Sequence, residues 1–300
     1  MMFDGISLAR QLGHNVAILS PRVDVVIEIS HRIKEAFKDE QIDILHQKQS
    51  QKYNGHFVIA TVHQLYRFKQ HFDTVFIDEV EAFPLSMDPN LSLAIQTASK
   101  AIHSHIYMTA TPPRQLIKQM SSHKVIKLPA RFHRQPLPVP HFKHFKLNTS
   151  RVQSQLIHLF QAQIKQQRYT LVFFNHIETM KDAYHKYRAH IPNLICVYSE
   201  DVYRFDKVEA LRRGEHSIVF TTTILERGFT MARLDVIVIN AETFSKAALI
   251  QIAGRVGRKM EEPKGLVLFL HEGVSLSMIK AKKDITEMNR LGYERGWLDA

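Results

Sequence analysis

Short apolar runs alternate with helical apolar patterns along most of the chain. In the first half, apolar runs predict strands at residues 15–20, 42–45, 57–61, 74–78, 105–109 and 124–128. After the first of these runs, Val25, Ile29, Ile33 and Phe37 recur at helical spacing, which predicts an amphipathic helix. Strands that alternate with helices indicate a mostly parallel, doubly wound sheet.

The same alternation resumes in the second half after an interruption. Pro129, Pro136, Pro138 and Pro140 disfavour both a helix and a central strand, so residues 129–146 are predicted to be an interdomain linker. Beyond them, strands are predicted at 171–174, 194–197, 217–221, 235–240 and 265–270, and helices at 152–166, 177–189 and 244–253. The pattern therefore predicts two α/β domains in tandem, over residues 1–128 and 147–300.

The composition is that of an ordinary globular protein, with 45% apolar and 23% charged residues. The single cysteine, Cys196, excludes an internal disulfide and a cysteine-based zinc site, and it favours a reducing, cytoplasmic compartment. No stretch approaches the run of about 18 apolar residues that spans a bilayer, so no transmembrane segment is predicted.

The chain is strongly basic, with 40 Lys and Arg against 29 Asp and Glu and a formal net charge of +11. This excess favours a polyanionic partner such as nucleic acid or an acidic membrane surface. The alternative is a basic protein without such a partner, since many soluble proteins are basic.

Two adjacent carboxylates, Asp78 and Glu79, follow the apolar run 75–77. Ligands of a parallel sheet bind beyond the carboxyl ends of its strands, so both side chains are expected in the functional crevice. A strand-end aspartate can hold Mg²⁺ through water, and a neighbouring glutamate can take a proton from an attacking water. The alternative is a buried strand that ends in a solvated turn.

Thr109 and Thr111, followed by Pro112, stand at the end of the strand predicted at 105–109. Their hydroxyl groups can bridge two crevices by hydrogen bonding. Taken alone, these residues also fit a turn that a threonine caps and a proline ends.

Two glycines and two arginines follow the helix predicted at 244–253, in the run QIAGRVGR at 251–258. Glycine allows close approach of the backbone, and arginine offers a rigid fork of donors for phosphate oxygens. An arginine supplied from a second domain to a γ-phosphate is a known catalytic device. A solvated basic turn is the alternative.

Taken in order, four runs resemble motifs II, III, V and VI of the DEAD/DEAH-like superfamily-two helicases: DEVE at 78–81, TAT at 109–111, TTTILERG at 221–228 and QIAGRVGR at 251–258. More narrowly, SPRVD at 20–24, ATVHQL at 60–65 and EAFP at 81–84 resemble the ComFA family, the late-competence, helicase-like DNA-uptake proteins of Gram-positive bacteria. The resemblance covers nearly the whole chain and implies two tandem RecA-like domains.

The resemblance implies ATP and Mg²⁺ as cofactors and assigns roles to matching residues. Asp78 would be the Mg²⁺ carboxylate and Glu79 the general base. Arg255 and Arg258 would reach the γ-phosphate from the second domain, with Arg258 the better candidate for the arginine finger. Gln251 and Gly228 would contribute to nucleotide binding. Residues that would couple hydrolysis to domain movement are Thr109, Thr111 and Glu81, and residues that would contact single-stranded DNA are Arg22, Thr61, Thr222 and Thr223.

The sequence also departs from that family. The loop GxxxxGK(S/T), which binds the ATP phosphates, does not occur in the 300 residues, nor do the four cysteines of the family's zinc module. Residues 1–6 resemble the helix that follows that loop, so we expect a truncated first domain that lacks its first strand. Exposed sheet edges, poor solubility and deficient ATP hydrolysis are then expected. Glu81 stands where many relatives carry Asp or His.

The sequence thus predicts an ATP-dependent single-stranded DNA translocase or helicase of the competence DNA-uptake machinery. The alternatives are a non-hydrolytic DNA-binding or scaffold protein, and another superfamily-two DNA helicase of repair or replication restart. The resemblance further implies, as partners, the uptake channel at the inner face of the plasma membrane and a phosphoribosyltransferase-like competence protein.

Overall fold

The computed structural model describes residues 2–46, 55–120, 122–222 and 229–299. It divides the chain into two compact units, Met1–Lys124 and Val125–Ala300. Each unit contains a parallel sheet flanked by helices, which confirms the prediction of two α/β domains in tandem.

The first unit alternates strands and helices from its start. Its strands are β1 (Val16–Ser20), β2 (Asp43–Leu45), β3 (Phe57–Thr61), β4 (Phe72–Ile77) and β5 (Ser99–Tyr107). Its helices are α1 (Phe3–Gln11), α2 (Val23–Ala36), α3 (Pro89–Ala98) and α4 (Arg114–Gln119), with a 3₁₀ helix at Val62–Arg67. The strands pair in parallel in the order β2-β3-β1-β4-β5.

Helices cover both faces of this sheet. On one face, Ile6 of α1 and Val26 and Ile33 of α2 pack with Phe76 in one apolar cluster. On the other face, α3 and the 3₁₀ helix contribute a second cluster that includes Leu91. Strands β1 and β3 are buried along their whole length because both of their faces are covered, which explains their continuous apolar sequences.

Strand β5 lies at one edge of the described sheet, beside β4, and it begins at Ser99 rather than at residue 105. Residues 101–104 are exposed. The ring of His105 is held within the strand, with Nε2 2.8 Å from Ser99 Oγ and Nδ1 3.3 Å from the Tyr107 hydroxyl. Burial, together with the neighbouring His103, lowers the pKa of His105 to about 4. The strand predicted at 124–128 is irregular backbone in the structure.

The second unit repeats the alternation. Its strands are β6 (His141–His144), β7 (Tyr169–Phe173), β8 (Ile195–Val197), β9 (Ile218–Thr221), β10 (Leu234–Val238) and β11 (Val267–His271). Its helices are α5 (Ser154–Lys165), α6 (Ile177–Tyr187), α7 (Arg204–Arg212), α8 (Lys246–Ala253) and α9 (Leu276–Glu294), with a 3₁₀ turn at Ala241–Thr243. The strands pair in parallel in the order β6-β11-β10-β7-β9-β8.

Two apolar clusters, one on each face, hold the second sheet between its helices. Alternate residues of β7 enter opposite clusters, Phe173 on the side of α8 and α9 and Val172 on the side of α5 and α6. Cys196 of β8 lies in the second of these clusters and is 8% exposed. Burial raises the pKa of its thiol.

Residues 129–146, predicted to be an interdomain linker, lie within the second unit. Strand β6 pairs with β11 at the edge of the sheet, where Pro140 before it removes no central hydrogen bond. Asn289 of α9 donates to the carbonyl of Leu137 and accepts from its N–H, at 2.8 and 2.7 Å. The segment therefore takes its structure from partners that are distant in sequence, which its prolines do not reveal.

Among the residues that the structure describes, no helix combines the length and the apolar character needed to cross a membrane.

Candidate functional site

The carboxyl ends of β1, β3, β4 and β5 lie side by side at one edge of the first sheet. The register pairs Ser20 with Thr61, Leu19 with Ile77, and Ile77 with Tyr107. The chain therefore leaves all four strands at the same edge, where ligands of parallel sheets bind. The predicted site residues at or just beyond these strand ends are Arg22, Thr61, Asp78, Glu79, Glu81, Thr109 and Thr111.

A tight turn after β4 presents the three carboxylates. The N–H of Asp78 still donates to Leu19 O of β1 at 2.8 Å, which continues the sheet by one residue. Glu79 then adopts a φ of +49°, a left-handed conformation that is unfavourable for a residue with a Cβ. Its N–H donates to Asp78 Oδ1 at 3.0 Å, and Ala82 N–H donates to Glu79 O at 2.7 Å. The turn thus brings Asp78, Glu79 and Glu81 to one place.

The carboxyl of Asp78 is a weaker acid than an ordinary aspartate. Burial raises its pKa to about 6, the N–H of Glu79 opposes that rise, and the charges of Glu79 and Glu81 add to it. A half-buried carboxylate among other carboxylates is a donor for a hard divalent cation, which relieves both burial and repulsion. In the described part of the chain, no three His, Cys, Asp or Glu residues form a metal-binding group. The donor set fits Mg²⁺, which binds through one or two carboxylates, water and substrate phosphates.

The threonines after β5 lie beside this turn. Val80 N–H points to Met108 O at 3.5 Å, which links the carboxylate turn to the chain that leaves β5. Thr111 N–H donates to Thr109 Oγ1 at 3.0 Å and closes a turn of its own. The Thr111 hydroxyl is buried and makes no hydrogen bond within the described residues. A coupling role for Thr109, Thr111 and Glu81 stays a prediction.

Arg22 and Thr61 occupy the same edge of the sheet but are held by the protein itself. The guanidinium of Arg22, which precedes α2, contacts both carboxylate oxygens of Asp24, at 3.1 and 2.6 Å. Thr61 ends β3 and is 5% exposed. Their predicted contacts with single-stranded DNA stay predictions.

In the second unit, the predicted threonines follow β9. Thr221 Oγ1 donates to Val197 O of β8 at 2.9 Å, so its hydroxyl links two strands of the sheet. Thr222, the next residue, is buried at the carboxyl edge. Thr223 and Gly228, predicted to contact DNA and nucleotide, lie outside the described residues.

The glycine–arginine turn, residues 254–258, follows α8, whose N-terminal Ser245 accepts from Ala248 N–H. Gly257 has a φ of +66°, and a Cβ there would lie 2.0 Å from Pro263 O, so the backbone admits only glycine. Arg255 is 3% exposed and donates to Phe229 O at 2.9 Å. Arg258 is half-buried, and its Nε donates to Gly254 O at 2.8 Å. Of the two arginines, Arg258 has the larger exposed surface.

Three further residues lie next to this turn. Gln251, predicted to bind nucleotide, is half-buried on the last turn of α8. Arg131 and His133, absent from the sequence prediction, both donate to carbonyls of the glycine–arginine turn. Local sequence offered no sign of this contact, since the two residues lie among prolines more than 120 positions away.

Comparison with known proteins adds family information. Residues 151–260 match the family described as Helicase conserved C-terminal domain. The chain is 36% identical over 301 residues to the competence protein ComFA of Bacillus subtilis and 35% identical over 304 residues to that of Streptococcus pneumoniae. Both alignments include 97% of this chain, but the chain spans only 65% and 69%, respectively, of the length of those relatives.

Among solved structures, Saccharomyces cerevisiae Dbp5 bound to RNA and ADP BeF3 is similar in fold. The TM-score is 0.62 at 14% sequence identity, covering 91% of this chain and 75% of the Dbp5 chain. Two parallel-sheet α/β units with this neighbour define a tandem RecA-like fold, whose second unit contains a helicase-type C-terminal domain. Within that class, the chain belongs to the ComFA family of competence proteins.

Proposed function

We propose that these residues carry hydrolytic and DNA-binding groups of an ATP-dependent single-stranded DNA translocase that acts in competence DNA uptake. The observation that carries the proposal is the carboxylate turn at the carboxyl edge of the first sheet, where Asp78 has a raised pKa and Glu79 is held at positive φ. Both features are typical of functional sites rather than of solvated turns. Membership in the ComFA family favours competence over repair or replication restart.

The proposed chemistry assigns one task to each group. Asp78 would hold Mg²⁺, which when bound neutralises charge on the phosphate oxygens of ATP. Glu79, fixed by its own turn, would orient the attacking water and accept its proton. Arg258 would stabilise the negative charge that develops on the transferred phosphoryl group. Arg255, which is buried and donates a hydrogen bond to Phe229 O, would stabilise the conformation of the same turn.

Phosphate binding is the part of this chemistry that the 300 residues do not supply in the usual way. No GxxxxGK(S/T) loop occurs among them, and positioning of the triphosphate provides most of phosphoryl-transfer catalysis. We therefore propose that the 300-residue chain by itself hydrolyses ATP poorly. The same observation favours a second candidate function, in which this chain binds DNA without turnover.

DNA binding is proposed from the net charge of +11 and from the family. Contacts of a translocase are directed at the nucleic-acid backbone, so affinity should not depend on base sequence and should fall steeply with salt. Dbp5, a structural neighbour, was solved bound to RNA and ADP BeF3. This likeness supports the proposal only through the fold.

The test measures ATP hydrolysis and DNA binding by the same 300-residue chain. Hydrolysis is followed with and without single-stranded DNA, and binding by anisotropy of a labelled oligonucleotide at several salt concentrations. Glu79→Gln removes the proposed general base, and Glu35→Gln on the exposed face of α2 is the matched control.

We expect salt-sensitive DNA binding in all three proteins and little turnover in any of them. DNA-stimulated turnover that Glu79→Gln abolishes and Glu35→Gln preserves would support the hydrolytic role and refute the proposed deficiency. Turnover insensitive to Glu79→Gln would refute the role of Glu79. Absence of DNA binding at low salt would refute both candidate functions.

A further inference from the structure

The side chain of Arg131 is enclosed by carbonyls of the glycine–arginine turn. Its Nη1 donates to Val256 O at 2.6 Å and to Gly257 O at 2.7 Å, and its Nη2 donates to Gly254 O at 2.9 Å. These carbonyls follow the end of α8, where a helix leaves acceptors without intrahelical partners and where positive charge is favoured. Arg131 therefore donates to three carbonyls that lie beyond the last residue of α8.

His133 adds a fourth contact from the same segment. Its Nδ1 lies 3.2 Å from Gln135 N, and because a backbone N–H can only donate, Nδ1 must be the acceptor. The proton of the neutral ring then resides on Nε2, which donates to Gly257 O at 2.8 Å. The ring is 7% exposed, so water does not substitute easily for either bond. The bonding pattern thus selects one tautomer of the neutral ring.

The position of Arg131 is electrostatically unfavourable without these carbonyls. Burial and the nearby charge of Arg258 lower the pKa of Arg131 to about 10, so the group remains charged at neutral pH. A half-buried cation beside another cation is stabilised by the acceptors around it. Here the acceptors belong to the segment that carries Arg258.

Gly254 O connects the two arginines directly. It accepts from Arg131 Nη2 at 2.9 Å and from Arg258 Nε at 2.8 Å. A shift of this carbonyl would therefore move the point at which Arg258 is anchored. Lysine at 131 would keep the charge but could not bond three carbonyls in this geometry, because it lacks the planar fork of arginine.

We infer that Arg131 and His133 are positioning residues, which fix the glycine–arginine turn and, through Gly254 O, the guanidinium of Arg258. Their relevance to catalysis rests on the proposed function of Arg258. Their effect on the turn does not, so the two can be tested separately.

The test uses the 300-residue chain and follows hydrogen exchange of the amides of Gly254, Arg255 and Val256, which donate to carbonyls of α8. We expect Arg131→Lys to speed exchange there by about tenfold or more, since charged hydrogen bonds contribute about 1.5–3 kcal/mol. His133→Ala should speed it by about twofold to tenfold, since a hydrogen bond of a neutral ring contributes about 0.5–1.5 kcal/mol. His133→Gln, which can place a donor near the position of Nε2, should restore part of the protection. Arg134→Ala is the matched control, because Arg134 bonds Gly296 O and Asp299 instead.

A spectroscopic measurement separates positioning from general destabilisation. The Nε–H resonance of Arg258, assigned with Arg258→Lys, should be protected from exchange in the wild type and lose that protection in Arg131→Lys. The ¹⁵N shifts of His133 should report the Nε2–H tautomer. Wild-type exchange in Arg131→Lys, or equally faster exchange throughout the second unit, would overturn the inference. ATP hydrolysis enters none of these readouts.

Discussion

Replacing Asp78 by asparagine should stabilise the first unit at neutral pH while it removes the proposed Mg²⁺ ligand. The raised pKa means that the folded chain resists ionisation of this carboxyl more than the unfolded chain does. Stability linked to Asp78 is therefore fully present below the unfolded pKa of 3.8 and is lost as the pH rises through about 6. Asparagine is neutral throughout, and its Oδ1 can still accept from Glu79 N–H.

The size of the effect follows from the same values. A pKa that rises from 3.8 to about 6 differs by a little over two, and each pKa unit corresponds to about 1.36 kcal/mol. The charged form is then destabilising by about 3 kcal/mol at most. Solvent screening of this half-buried group reduces that figure, so we expect a gain of about 1–3 kcal/mol above pH 7. Near pH 4 the gain should be small, because Asp78 in the folded chain is then largely neutral, as asparagine is.

The assay must report the first unit alone, because two units need not unfold together. Hydrogen exchange of the buried amides of β1 and β4 in increasing urea does this, measured from pH 4 to pH 8. Asp39→Asn, an exposed aspartate in the same unit, is the control and should leave the pH profile unchanged. A gain for Asp78→Asn that is equal at pH 4 and pH 8, or a loss at pH 8, would refute the assignment of burial and repulsion to Asp78.

Three further changes test other features of the structure. Gly257→Ala should destabilise the second unit by about 3 kcal/mol or more in urea unfolding, because its Cβ meets Pro263 O at positive φ; wild-type stability would contradict this. His105→Gln should flatten the loss of first-unit stability as pH falls from about 6.5 to about 4, since the folded ring stays neutral while the unfolded one gains a proton; an unchanged slope would count against the bonded ring. Asp235→Asn should lower the second unit's stability by about 1–3 kcal/mol, because half-buried Arg168 loses the nearer of its two carboxylate partners, at 2.7 Å; a drop below 1 kcal/mol in urea unfolding would argue that the pair contributes little.

The fold was predictable from the sequence because it depends on local periodicity. Strands such as β1 and β3 are continuous apolar runs that only a sheet covered on both faces can bury. The placement of Asp78 was predictable for a similar reason, since parallel strands all end at one edge. For the other residues of the candidate site, the sequence showed only the order in which their motifs follow one another along the chain.

The features that escaped prediction depend on partners distant in sequence. Proline positions indicated a break at 129–146, but Arg131 bonds carbonyls 123 to 126 residues away, and Leu137 bonds Asn289 across 152 residues. The left-handed turn at Glu79 and the raised pKa of Asp78 likewise arise from packing and burial. Residue types indicated which side chains could bind a ligand or take part in catalysis. The contacts that position those side chains are visible only in the three-dimensional structure.

The buried cysteine of β8 has a practical consequence for measuring motion. Cys196 is the chain's one cysteine, and its burial and raised thiol pKa disfavour reaction with maleimides. Fluorophores or spin labels can therefore be attached at chosen surface cysteines without first removing the native one. Asp39→Cys in the first unit and Asp182→Cys on α6 in the second would place one probe on each. The distance between probes, followed as ATP and DNA are added, would then report movement between the units on an otherwise unaltered background.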